Sequence, residues 1–165
     1  MGESDRAYER ALSFLEKRDR TEREVLDKLR LAGFSEESAE AALERLRGAG
    51  LVNDEDYAER YLQALTDKGR GRLRIASEMR RKGLAEELIR NTIEDGLSPA
   101  REQEMATEAA RRCMSGLDAG ADPKKTAGRV SRRLLSLGFS WDTIGSAMRE
   151  IRIEAEEKKQ ETEEA

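Results

Sequence analysis

The chain has 165 residues, 40% of them charged, 37% apolar and 4% aromatic, with a formal net charge of −4. One Trp, three Tyr and three Phe cannot fill one large core, so several thin helical layers are expected, and two prolines with few β-branched residues argue against sheet. The absence of histidine removes the commonest general base and metal ligand, and the single cysteine, Cys113, excludes an internal disulfide or a cysteine-built zinc site.

No cofactor or metal is therefore expected, and an enzyme is the least fitting class. No apolar run reaches the length needed to span a bilayer, Met1 to Arg10 lacks a signal-peptide core, and a lone thiol suits a reducing compartment. The expectation is a cytoplasmic, monomeric protein with no membrane partner.

From the N-terminus, apolar residues at three- and four-residue spacing predict helices near 5–18, 21–32 and 35–48. Thr21 with Glu24 forms a capping box for the second, and Ser35 caps the third. Asn53 or Asp54 opens a helix near 54–67, and two more follow near 70–82 and 85–95. Ser98-Pro99 and Asp122-Pro123 each set a capping side chain before a proline at the first helical position, opening helices near 99–116 and 123–137. Cys113, among Ala109, Ala110 and Met114, reads as a small buried hydrophobe. Ser140 caps a ninth helix near 141–157. The segment from Glu154 to Ala165 has six acids, two lysines and nothing bulky to bury, so fraying or disorder is expected there.

An internal repeat organises these helices. Aligned on Gly33, Gly83 and Gly138, the chain places Val25, Ile75 and Val130 eight residues earlier, and Leu29, Met79 and Leu134 four earlier. Phe34, Leu84 and Phe139 follow one residue later, and Leu43, Ile93 and Met148 ten later. Leu12, Leu62 and Leu117 stand twenty-one before. Each glycine falls where a middle helix must stop, because a left-handed terminal residue costs glycine least. The fold expected is all-α, three tandem three-helix repeats in an elongated, curved array, with repeats at 1–50, 51–97 and 98–153 and a tail at 154–165.

Charge is uneven along these repeats. Lys68 to Lys82 holds seven bases and one acid, and Lys124 to Arg133 five bases and no acid, whereas residues 1–50 carry ten bases and twelve acids. On a wheel of about 100° per residue, Arg70, Arg74, Ser77 and Arg81 lie opposite Ile75 and Met79. Lys125, Arg129, Arg132 and Ser136 hold the matching positions opposite Val130 and Leu134. Solvent faces usually mix signs, so these single-sign stripes suit phosphates or an acidic protein groove. Arg70, Arg72, Arg74, Arg81, Lys82, Lys124, Lys125, Arg129, Arg132 and Arg133 are the candidate binding residues. Tyr57 and Tyr61, one turn apart on the side of Leu65, read as packing residues, and Trp141 as a partner anchor or the cap of a small core. Ala119 to Thr126 only superficially suggests a phosphate loop, because Lys124 stands where a second glycine is needed and Pro123 removes an N–H.

Gly50-Leu51-Val52-Asn53-Asp54-Glu55-Asp56-Tyr57-Ala58, then Arg80-Arg81-Lys82-Gly83-Leu84, then Leu137-Gly138-Phe139-Ser140, resemble the successive repeat signatures of the RecX regulatory family. The resemblance runs from about Ala7 to Ile151. It implies a modular three-helix-repeat protein that binds in the groove of the RecA nucleoprotein filament. It also implies modulation, usually inhibition, of ATPase, strand-exchange and co-protease activities, within DNA repair, recombination and the SOS response. The acidic balance favours DNA phosphates within the filament over naked DNA as partner. A helix–turn–helix DNA reader and a generic helical-repeat adaptor stand as alternatives, although acids at Ser35-Glu36-Glu37 and Ala85-Glu86-Glu87 would oppose phosphates at a reading helix.

Overall fold

A computed structural model describes residues 2–165, and among them all regular structure is helical. The helices are α1 (Glu3–Leu15), α2 (Glu22–Leu31), α3 (Glu36–Gly48), α4 (Asp54–Asp67), α5 (Arg72–Arg81), α6 (Glu86–Gly96), α7 (Pro99–Ser115), α8 (Pro123–Leu137) and α9 (Trp141–Glu164). They form three successive triplets. The caps behave as their chemistry requires. Thr21 and Glu24 exchange capping-box bonds at α2, and the side chains of Ser35, Asn53, Ser98, Asp122 and Ser140 each accept a first-turn N–H of the helix they precede.

One C-terminal motif closes the middle helix of every triplet. Gly33, Gly83 and Gly138 are left-handed, with φ of 87°, 79° and 96°. The next residue donates its N–H back to the carbonyl five positions earlier, as Phe34 to Leu29 at 3.2 Å, Leu84 to Met79 at 3.3 Å and Phe139 to Leu134 at 3.2 Å. The apolar pairs at minus four and plus one in the alignment are the hydrophobic clasp of this Schellman turn.

The chain forms two compact units, residues up to 62 with 78–92, and 63–77 with 93–165. In the first, α1 lies along α3 over a core of Ala7, Ala11, Val25, Leu29, Ala42, Leu43 and Leu46. Glu3 ties the starts of α1 and α3 together by accepting the hydroxyls of Ser35 at 2.6 Å and Ser38 at 2.7 Å, which holds its carboxyl below the usual carboxylate range. Arg30 pairs with Glu36 across one Schellman turn, and Arg80 with Glu86 across the equivalent one. In the second unit α7 lies along α9, and Val130, Leu134, Phe139, Ile144 and Ala147 are fully or almost fully buried.

Each unit also contains a junction between two middle helices. In the first unit the Thr21 hydroxyl, at the start of α2, donates to the Lys82 carbonyl at the end of α5 at 2.6 Å. In the second, Gly71 and Leu73, at the start of α5, donate their N–H groups to the Leu137 and Gly138 carbonyls at the end of α8, at 2.8 and 3.0 Å. Thr21 and Gly71 occupy the same repeat position. The second junction thus satisfies N–H groups at one helix start with carbonyls at one helix end, and in the first a capping hydroxyl serves as the donor. The second needs two glycines, because a Cβ on Gly71 would stand 2.5 Å from the Gly138 oxygen, and one on Gly138 2.2 Å from the Arg74 Cβ.

Two local expectations are corrected, at the start of α5 and at the acidic terminus. Helix α5 starts at Arg72, so Arg70 belongs to the turn before it, where left-handed Gly69 ends α4 and Arg70 donates back to the Leu65 carbonyl. Helix α8 spans the expected residues and, with 15 residues against 10 in α2 and α5, leaves Leu117 in the preceding connection, unlike Leu12 and Leu62 in their helices. The acidic terminus is helical through Glu164 rather than frayed. Arg111 grips Glu154 through both oxygens, at 3.0 and 2.5 Å, and the Glu, Lys, Gln and Ala that follow are good helix formers.

Candidate nucleic-acid interface

The second unit holds an open groove of about 970 Å³ between α7, α8 and the turn that ends α4. Met105, Ala109, Cys113 and Leu137 supply its apolar lining. Six bases, Lys68, Arg70, Arg101, Arg112, Arg129 and Arg133, line it against three acids, Asp67, Glu104 and Glu108. Helical spacing explains the convergence. Arg129, Arg133 and Leu137 recur every four residues on α8, and Arg101, Met105, Glu108 and Arg112 form one stripe on α7.

The six cations are not equivalent. Arg101 pairs with Glu104 at 3.1 Å, and Arg112 with Glu108 at 3.2 Å, both as exposed same-helix pairs. Lys68, Arg70, Arg129 and Arg133 form no ion pair with any described residue. Four unneutralised cations around one groove repel each other, and a polyanion relieves that repulsion while giving up its counterions.

The candidate residues separate into three groups. Arg70, Arg129 and Arg133 meet in the groove. Lys124, Lys125 and Arg132 are exposed elsewhere on α8. Lys124 and Lys125 occupy its first turn, where the helix dipole disfavours cations and no acid is present. In the first unit, Arg81 is exposed near the Tyr61 phenol.

The third group holds the fold together. Arg72 donates through Nε to Glu102 at 3.2 Å and through Nη2 to the Leu97 carbonyl at 2.8 Å, while Glu102, itself buried, also accepts the Arg72 N–H. Lys82 directs its ammonium to Glu24 at 3.4 Å, and its carbonyl receives Thr21. Arg74 has its backbone and Cβ against Gly138 and makes a further interaction within the chain.

Arg101, Arg112 and the apolar lining escape a reading of middle helices alone, although the spacing of Arg101, Met105 and Arg112 along α7 carried the signal. Cys113 is half-buried in the groove rather than fully enclosed. Tyr57 and Tyr61 are half-buried, with ring centroids 5.6 Å apart, and Trp141 is 65% exposed. Trp141 occupies the position where the first two triplets place Glu36 and Glu86, so it replaces an ion-pairing acid rather than capping a core. Among the described residues no cluster of His, Cys, Asp or Glu is placed to hold a metal, and no helix is long and apolar enough to cross a membrane.

An all-helical protein of three-helix repeats is a class shared with regulatory proteins of one family. Models of that family's first and second three-helix domains match residues 7–46 and 53–93. The regulatory protein RecX of Mycobacterium sp. strain KMS is 31% identical over 147 residues, covering 85% of this chain and 80% of that protein. That of Amycolatopsis mediterranei is 30% identical, covering 91% and 87%. The crystal structure of RecX from Lactobacillus salivarius superposes with a TM-score of 0.82 over 92% of this chain and 97% of that one, at 23% identity. The chain belongs to the RecX regulatory protein family.

Proposed function

We propose that this protein binds the RecA nucleoprotein filament in the cytoplasm as a monomer and modulates, chiefly by inhibition, its ATPase, strand-exchange and co-protease activities. The observation that carries the reading is the groove in which Lys68, Arg70, Arg129 and Arg133 converge without carboxylate partners among the described residues. Its electrostatics suit DNA phosphates held within the filament, and Lys124, Lys125 and Arg132 extend the positive surface along α8. The protein acts by occupancy, hindering subunit motion and access of a second DNA strand, and supplies no chemistry. In this reading Arg72 and Lys82 are scaffold residues that keep the basic segments in place. A base-reading helix–turn–helix is disfavoured, since Glu36 and Glu86 stand in the first turns after the glycines, each held by an arginine.

Reversal of Arg129→Glu with Arg133→Glu should lower affinity for RecA–single-stranded DNA filaments at least tenfold, about 1.4 kcal/mol. It should also flatten the salt dependence of binding and abolish the slowing of ATP hydrolysis. Arg10→Glu with Lys17→Glu, equal in charge change and exposed in the first unit, is the control. Equal losses in both doubles would show that net charge alone matters. Cys113 gives a local readout, because a filament seated in the groove should slow its alkylation; an unchanged rate on saturation places the partner on another face.

A further inference from the structure

A second concavity in the same unit has the opposite character. It encloses about 710 Å³ between the end of α7, the connection to α8, the first turns of α8 and the middle of α9. Met114, Leu117, Pro123, Met148 and Ile151 make it predominantly apolar, and Met114 is 37% exposed. Its charges are one-sided. Arg149, Arg152 and Lys159 all rise from α9, against a single acid, Asp118, from the connection. None of the three cations pairs with a carboxylate among the described residues, and Arg149 donates only to the Ser146 hydroxyl at 2.9 Å.

We propose that this slot is a docking site for an acidic amphipathic helix of another protein, separate from the basic groove and independent of the function proposed for it. Ten residues of α9 separate Arg149 from Lys159, which at about 1.5 Å per residue spreads the cations over roughly 15 Å. An occupant must run carboxylates over that length beside an apolar stripe, which a helix with anchors at i, i+3, i+4 and i+7 does. A fatty carboxylate has one charge and leaves two cations unmatched. Nucleic acid supplies the charges, but the lining offers no aromatic side chain for its bases. A second copy's acidic α9 terminus supplies carboxylates from Glu154 onward but no bulky apolar residue to fill the slot. Met114 and Met148 suit such an occupant, because unbranched thioether side chains repack around varied anchors.

The probe is a fluorescent peptide of roughly 14 residues with leucines at i, i+3, i+4 and i+7 and glutamates along one flank, titrated into the full chain. Binding should raise anisotropy and shift the methyl resonances of Met114 and Met148. Arg149→Glu with Arg152→Glu should weaken it at least tenfold while leaving the unfolding midpoint in place. Should that double fail to fold, Met114→Glu, at an exposed position, should block binding by repelling the peptide's carboxylates and removing an apolar contact. Arg129→Glu with Arg133→Glu should leave peptide binding unchanged, which separates this proposal from the reading of the groove. The proposal fails if a scrambled peptide of the same composition binds equally, or if neither slot variant weakens binding. Methyl shifts produced by dodecanoate or a single-stranded oligonucleotide but not by the peptide would equally overturn it.

Discussion

The substitution Gly138→Ala tests the helix-to-helix junction of the second unit. Gly138 sits at φ 96°, a region that costs an alanine roughly 1–2 kcal/mol. The added Cβ would also stand 2.2 Å from the Arg74 Cβ and 2.4 Å from its backbone nitrogen. Backbone cannot swing aside as a side chain can, so overpacking adds about 1–3 kcal/mol. The separation needed to relieve it weakens the bonds from Gly71 and Leu73 to the α8 carbonyls, each worth about 1 kcal/mol. After the smaller entropy of an unfolded alanine is allowed for, the net loss should be about 3–4 kcal/mol. Gly33→Ala is the matched control, with a similar φ of 87° and nothing within 4 Å of its Cβ, and should cost only about 1 kcal/mol. Urea unfolding followed by far-UV circular dichroism and by the fluorescence of Trp141, which lies in the same unit as Gly138, measures both. Losses equal to within about 0.5 kcal/mol, the spread of ordinary surface changes, would refute the junction.

Leu134→Ala, at a fully buried side chain, should cost about 2–5 kcal/mol in the same assay, and a loss below about 0.5 kcal/mol would place the wrong face of α8 inward. Glu102→Gln removes the charge that holds Arg72 and should cost about 1.5–3 kcal/mol, with an unchanged midpoint showing the pair to be incidental. Asp54 accepts the Glu22 N–H at 2.9 Å, but burial pushes its carboxyl above the usual range, so folding stability drawn from its protonated form is lost as pH rises through that raised value. Asp54→Asn, which keeps an acceptor without the charge, should therefore gain on the parent protein as pH rises from acid to neutral; a gap that narrows instead would contradict the burial argument.

Whatever depends on neighbours within about six residues was legible in the sequence. Caps at Thr21, Ser35, Ser98, Asp122 and Ser140 use side chains two or three residues from the N–H they accept, and the three glycine turns close through bonds five residues apart. The repeat in the sequence is the chemical record of those turns. Side chains that act across the chain were not legible. A helical wheel tells which side of its own helix a residue leaves from, but not what stands opposite. Arg72 and Lys82 thus read as candidate binding residues of a basic run, although their carboxylate partners lie 30 and 58 residues away. Arg101 and Arg112 drew no attention because same-helix acids hid their charge, yet α7 carries them to the groove with Arg129 and Arg133. Only the tertiary structure decided which cations were neutralised internally, because that depends on distances between helices that no local pattern encodes.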